Sequence, residues 1–204
     1  MRIFGIDPGS ERTGYGCVET DGRRHHLVVC GAITAAAAAD LPQRLAGIHR
    51  ELTALIAAAR PDCVAIENIF YANNARSALK LGHARGVAML AAVQAGCTVV
   101  EYTPAEIKRA VVGYGRAEKH QVQQMIQLLL GLDAPPSPHD AADALAVAIC
   151  HLHSLPPAGR LKSAPTSGTA ASGPAASGTA VGADFSRPTT KAKSWRQYRP
   201  PTPG

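Results

Sequence analysis

The 204 residues suffice for one domain with length to spare, and 46% hydrophobic content with only 4% aromatics points to an alanine-rich core packed by helices. The formal net charge of +6 does not mark the folded part as a polyanion binder: residues 1–155 carry 14 basic and 14 acidic side chains, while residues 156–204 carry seven basic ones against Asp184 alone. Five scattered cysteines without a CxxC pair exclude a disulfide or zinc framework and fit a reducing compartment.

Arg2–Asp7 reads as an apolar strand that ends in the turn Asp7-Pro8-Gly9-Ser10. That turn interrupts the apolar run too early for a signal peptide, and no stretch approaches the roughly 20 apolar residues of a membrane span, so a cytoplasmic protein is expected. Thr13–Val18 and Leu27–Thr34 read as two further strands, joined to the first by antiparallel hairpins. Asp40–Arg60 carries Leu41, Leu45, Ile48, Leu52, Leu55 and Ile56 at helical spacing. Cys63–Ile66 is a buried strand ending at Glu67, Asn74–Ala95 a long helix, and Thr98–Tyr102 a fifth strand. Pro104 opens a short helix, Glu118–Leu130 is amphipathic and stops at Gly131, and Ser137–His153 is the last helix. The order β-β-β-α-β-α-β-α-α-α predicts an α/β domain over residues 1–155, with a mixed five-stranded sheet and helices on both faces. From Pro156 the chain turns to Ala, Gly, Ser, Pro and Thr, and a disordered basic tail is expected over 156–204.

Four acids stand out. Asp7 and Glu67 each end an apolar strand, and in open α/β sheets sites form at the carboxyl ends of strands. Asp140 and Asp143 lie three apart on the last helix and share a face. Converging carboxylates need counter-charge, and an all-oxygen set favours Mg²⁺ or Mn²⁺ over zinc. Structural readings stand beside this one. Asp7 suits a turn, Glu67 suits the point where a strand meets solvent, and Asp140 suits a capping box with Ser137 as N-cap. Asp143 has no such role; it interrupts an apolar helix, where an acid is costly unless paired. His139 adjoins the pair but points off its face.

These residues carry a resemblance. Gly5-Ile6-Asp7-Pro8-Gly9-Ser10 with Thr13-Gly14-Tyr15-Gly16 resembles the opening of the RuvC family of bacterial Holliday junction resolvases. The likeness continues, in order, through Ala65-Ile66-Glu67, Asn74–Gly82, Ala84–Ala88, Val111-Val112-Gly113, Ala117-Glu118-Lys119 and Asp140–Ala146. It implies an RNase H-like fold and a structure-selective endonuclease acting as a homodimer. Such an enzyme resolves four-way junctions by paired symmetric nicks in DNA repair and recombination. It further implies two Mg²⁺ per subunit (Mn²⁺ substituting) held by Asp7, Glu67, Asp140 and Asp143; Asp7 is expected to be the bridging ligand because its strand lies at the centre of the sheet. It also implies 5′-phosphate and 3′-hydroxyl products and a RuvA–RuvB branch-migration complex as partner. In some members a histidine replaces the third acid; here Asp140 keeps the spacing.

For DNA contact, residues 76–119 hold seven basic side chains against three acidic ones. Arg76, Lys80 and His83 follow helical spacing, so they either track a phosphate backbone or form a solvated face. The resemblance moves Lys108 and Lys119 toward DNA near the site. It also matches Phe70, which directly follows the catalytic strand and is placed to stack on an unpaired base; Tyr71 reads equally as core. Gly113-Tyr114-Gly115 offers backbone N–H groups for a phosphate before the next helix. Gly82 and Gly86 suit either a dimer interface or packing on the sheet. In the tail, Lys191–Arg199 interleaves Trp195 and Tyr198 with cations, which suits a solubilising segment or a weak contact. Two other classes fit less well. A phosphotransferase of the actin and sugar-kinase type lacks its second Asp-Gly hairpin here, and a purely binding junction module gains nothing from clustered carboxylates.

Overall fold

The computed structural model describes residues 1–35, 38–68 and 75–155. The strands are β1 (Arg2–Asp7), β2 (Arg12–Thr20), β3 (His25–Thr34), β4 (Cys63–Glu67) and β5 (Thr98–Tyr102). The helices are α1 (Leu41–Ala59), α2 (Ala75–Gln94), α3 (Pro104–Val112), α4 (Lys119–Leu130) and α5 (His139–Ser154). Element order matches the expectation throughout. The expected tail over 156–204 lies outside the described residues, as do Phe70, Tyr71 and Asn74.

The sheet runs β3-β2-β1-β4-β5. β1 pairs antiparallel with β2 and parallel with β4, so it is the central strand and the place where the two orientations meet. Its side chains alternate between two cores, as a period of two requires. Phe4 and Ile6, with Val64 and Ile66 of β4, face α1 and α2. Ile3, with Cys63 and Ala65, faces α3, α4 and α5. Burial on both faces explains why β1 and β4 read as unbroken apolar runs.

The helices start and stop where side chains satisfy their ends. Asp40 accepts from the Gln43 N–H at 2.9 Å and begins α1, whose stripe Ile48, Leu52, Ile56 and Ala59 is buried. Burying a leucine such as Leu52 contributes about 1.5–3 kcal/mol. Thr103 and Glu106 form a reciprocal capping box on α3. Gly113 and Gly131, at φ 93° and 62°, close α3 and α4 in the left-handed region.

α5 is buried almost all round, from Ala144 to Leu152 without a break. It lies directly on β1 and β2 because those strands present glycines to it. A Cβ on Gly5 would collide with the Ala144 carbonyl, one on Gly14 with the Asp140 carbonyl, and one on Gly16 with the Leu145 side chain. This close approach fixes where the α5 acids stand relative to the end of β1.

Candidate active site

The register of β1 on β4 pairs Ile6 with Ile66, so Asp7 and Glu67 leave the sheet side by side. Their carboxyl groups share a hydrogen bond. Two carboxyls can do so only with a proton between them. Burial pushes Asp7 up to about 6, against the pull of the Glu67 hydrogen bond, and the charges of Asp143 and Asp140 add to the rise. Burial also raises Glu67, to about 8, followed by the charge and hydrogen bond of Asp7 and the charge of Asp143. This is the signature of several like charges gathered in one partly dry crevice.

The α5 acids complete the group, each held by a cation. Lys119 Nζ lies 2.6 Å from Asp143 Oδ2, and Arg12 Nε lies 3.4 Å from Asp140 Oδ2. Burial works against the Lys119 charge, but the hydrogen bond and charge of Asp143, with Asp7 and Asp140 behind it, outweigh that and hold the ammonium above its ordinary value. A hollow of about 290 Å³ opens here between Glu67, Lys108, Lys119 and Asp143.

The donor set suits a hard divalent cation: all oxygen, already crowded enough to retain a proton, and drawing in two protein cations. As the side chains stand, no three His, Cys, Asp or Glu groups among the described residues converge on one point where a metal ion would sit. Asp140 and Asp143 face Arg12 and Lys119 through their Oδ2 atoms instead, so an ion would compete with those two cations for the carboxylates.

Three sequence expectations need correction. Ser137 does not cap α5. Pro138, extended at φ −70° and ψ 175°, is the N-cap and makes no side-chain cap bond, which places Asp140 second in the helix with its carboxylate turned to Arg12. The basic residues between 76 and 119 do not form one patch. α2, carrying Arg76 and Lys80, packs on the α1 face of the sheet, whereas Lys108 and Lys119 belong to α3 and α4 on the other face. Among the described residues no contact joins Arg76 or Lys80 to the acids, and Arg85 is committed to Glu101. The N-terminus of α4 partly serves itself: the Glu118 N–H donates to Gln121 Oε1 at 2.9 Å, and the Gln121 N–H to the Glu118 carbonyl at 3.1 Å.

Sequence reasoning also missed residues. Arg12, the residue that meets Asp140, was not singled out. Gly5, Gly14 and Gly16 were read only as part of a motif, although Gly5 pairs with Gly16 and Asp7 with Gly14 across β1 and β2. Glycines alternating on two paired strands are the signal that a helix lies close above them.

Comparison with known proteins adds an independent line. The family model for crossover junction endodeoxyribonuclease RuvC matches residues 3–151. The crossover junction endodeoxyribonuclease RuvC of Koribacter versatilis is 57% identical over 154 residues, 75% of this chain and 93% of the relative. That of Geotalea uraniireducens is 54% identical over 162 residues, 79% and 94%. Among solved structures, Thermus thermophilus RuvC aligns with a TM-score of 0.70 at 33% identity, covering 75% of this chain and 94% of that one. The same protein in complex with a Holliday junction substrate aligns at 0.69 and 31% identity.

Proposed function

The chain belongs to the RuvC family of crossover junction endodeoxyribonucleases, and we propose that it resolves four-way DNA junctions at the site formed by Asp7, Glu67, Asp140 and Asp143. One observation carries the assignment of the site: Asp7 and Glu67 end adjacent parallel strands side by side, and the α5 acids stand close enough for their charge to act on Asp7. A structural cluster gains nothing from such crowding, whereas a divalent-cation site needs it.

In this reading Asp7, on the central strand, would hold two Mg²⁺ ions together with Glu67, Asp140 and Asp143, with Mn²⁺ able to substitute. When bound, the ions supply counter-charge and Lewis acidity for in-line hydrolysis of a phosphodiester. The chain's own residues do the rest. Lys108 and Lys119 draw the scissile phosphate into the hollow beside Glu67 and Asp143. The partly buried crevice limits competing water. A water oxygen bonds to phosphorus as the P–O3′ bond opposite it breaks, and a proton from that water ends on the leaving 3′-oxygen, so 5′-phosphate and 3′-hydroxyl ends remain. Phe70 is assigned to base stacking, and Arg76 and Lys80, in the other layer, to the junction arms.

Paired symmetric nicks call for two copies of the chain. α2 supports a homodimer: Leu79, Leu90 and Val93 are 50–65% exposed, and a Cβ on Gly82 or Gly86 would meet nothing within 4 Å. With their spacing these residues make one apolar stripe open to a second helix. The nuclease domain is assigned to residues 1–155, in the cytoplasm with its DNA substrate, and the RuvA–RuvB complex is the partner that the family implies. No helix of the described residues is long and apolar enough to cross a membrane.

The test is Mg²⁺-dependent cleavage of a synthetic four-way junction, a linear duplex and a replication fork side by side. Strong preference for the junction, with paired nicks at symmetric positions, is expected. Equal cutting of the duplex would overturn the reading.

A further inference from the structure

Lys119 stands between two hollows. One is the hollow of Glu67 and Lys108 described above. The second, of about 540 Å³, lies on the Asp140 side and is lined by Arg12, Gln123, His139, Asp140 and the proline run Pro135, Pro136 and Pro138. Nothing in the hydrolytic chemistry of the four carboxylates uses it.

Arg12, Lys119, Gln123, Ser137 and His139 bring hydrogen-bond donors to its lining. The Arg12 side chain is 54% exposed and spends only Nε on Asp140, leaving the rest of its five-donor fork uncommitted among the described residues. His139 Nδ1 lies 2.6 Å from Gln123 Nε2. With the amide nitrogen donating, the ring proton sits on Nε2, so the imidazole presents a donor at its other end. The N-terminal end of α5 adds its partial positive charge. Asp140 is the one acid, and a divalent ion bound to it would neutralise its charge. The Arg12 guanidinium would then face the hollow with its charge less compensated. The three prolines fix their own φ angles and make the wall stiff, so the hollow does not have to be ordered by its ligand.

We propose that this hollow is a second phosphate subsite, in which Arg12, Gln123 and His139 bind the backbone phosphate next to the scissile one on the cleaved strand. The inference rests on the nuclease reading above. A DNA strand held at the carboxylates carries its next phosphate on one side or the other of the scissile group, and a planar guanidinium matches a phosphate with two parallel N–H bonds. Metal loading and substrate binding would thereby be linked, because Arg12 lies between Asp140 and the hollow.

The test combines Arg12→Gln with junctions bearing a single neutral methylphosphonate at each position flanking the cleavage site. Junction affinity is measured by fluorescence anisotropy with Ca²⁺ in place of Mg²⁺, and KM and kcat are measured in Mg²⁺. Arg12 is exposed at a strand end, so the variant is expected to fold; its circular dichroism and Tm are checked. The expected result is that Arg12→Gln weakens binding about tenfold, chiefly through KM. One adjacent methylphosphonate should weaken the unaltered protein equally, and the two changes together should cost no more than either alone. His139→Gln should show the same position dependence at smaller size. If the two losses multiply at every position, or if Arg12→Gln lowers kcat and Mg²⁺ affinity while leaving junction affinity intact, the subsite is wrong and Arg12 only positions Asp140. If the unaltered protein fails to cleave any junction in Mg²⁺, the nuclease reading itself has failed.

Discussion

Asp7 and Glu67 end neighbouring parallel strands with their carboxyl groups side by side, and burial together with their mutual charge favours the protonated form of the pair. The arrangement costs stability. The two groups keep their proton in the folded, metal-free protein up to about 6 and about 8, whereas the unfolded chain releases it near 3.8 and 4.5. The folded state therefore binds the extra proton, and its stability falls as pH rises from about 4 to about 8. Glu67→Gln removes one of the two crowded charges and keeps a hydrogen-bonding group beside Asp7. Its metal-free Tm should exceed that of the unaltered protein at pH 8 by about 3 °C or more, and the difference should vanish near pH 4.5. Thermal denaturation in EDTA at both pH values checks this; an equal shift at both would contradict it.

The same proton must leave when a divalent cation binds. Mg²⁺ affinity should therefore rise with pH up to about pH 8 and then level off. Calorimetric titration at pH 7 in two buffers of different ionisation enthalpy should show proton release. Asp7→Asn should abolish the buffer dependence together with most of the affinity.

The glycines under α5 give a prediction with an internal ranking. A methyl group on Gly14 meets the Asp140 backbone, which cannot move without displacing the acid, whereas one on Gly16 first meets the Cδ2 and Cγ atoms of Leu145, a buried side chain that yields more readily than backbone. Gly14→Ala should destabilise by about 1–3 kcal/mol and Gly16→Ala by clearly less. Urea denaturation measures both. At a temperature where both are folded, Gly14→Ala should also lose more cleavage, because it shifts Asp140.

Much of this arrangement was legible in the sequence, and the misses have physical causes. Strand and helix limits could be read because hydrophobic periodicity and end signals agree, as at Asp40, Thr103-Pro104 and Gly131. Asp143 was legible because a carboxylate in an apolar helix demands a partner, and Lys119 is that partner. Asp140 was half legible. Its place beside the site was foreseen, but its cap role was not real, since a proline took the cap position. The basic stretch 76–119 was misread as one patch because linear proximity says nothing about which face of the sheet a helix covers. Arg12 was invisible for the opposite reason: its partner is 128 residues away, and no local pattern marks such a pair.

The apolar stripe on α2 predicts the assembly. Leu79→Glu with Val93→Glu places charges on exposed positions, so folding should be unaffected while association is lost. Sedimentation velocity should show a dimer for the unaltered chain and a monomer for the double variant. The variant should nick junctions singly, with the paired, symmetric cut lost. A variant that remains dimeric would place the interface elsewhere.

The central claim is that the four carboxylates perform the hydrolysis and do not merely shape the domain. Asp143→Asn tests it most directly, since the amide keeps the size of the side chain and lies partly exposed on a helix whose core contacts are unchanged. Junction affinity and junction cleavage should be measured on the same preparation in Mg²⁺. We predict affinity within about threefold of the unaltered protein and cleavage reduced by about a thousandfold or more. Cleavage that persists, or binding lost together with it, would contradict the account.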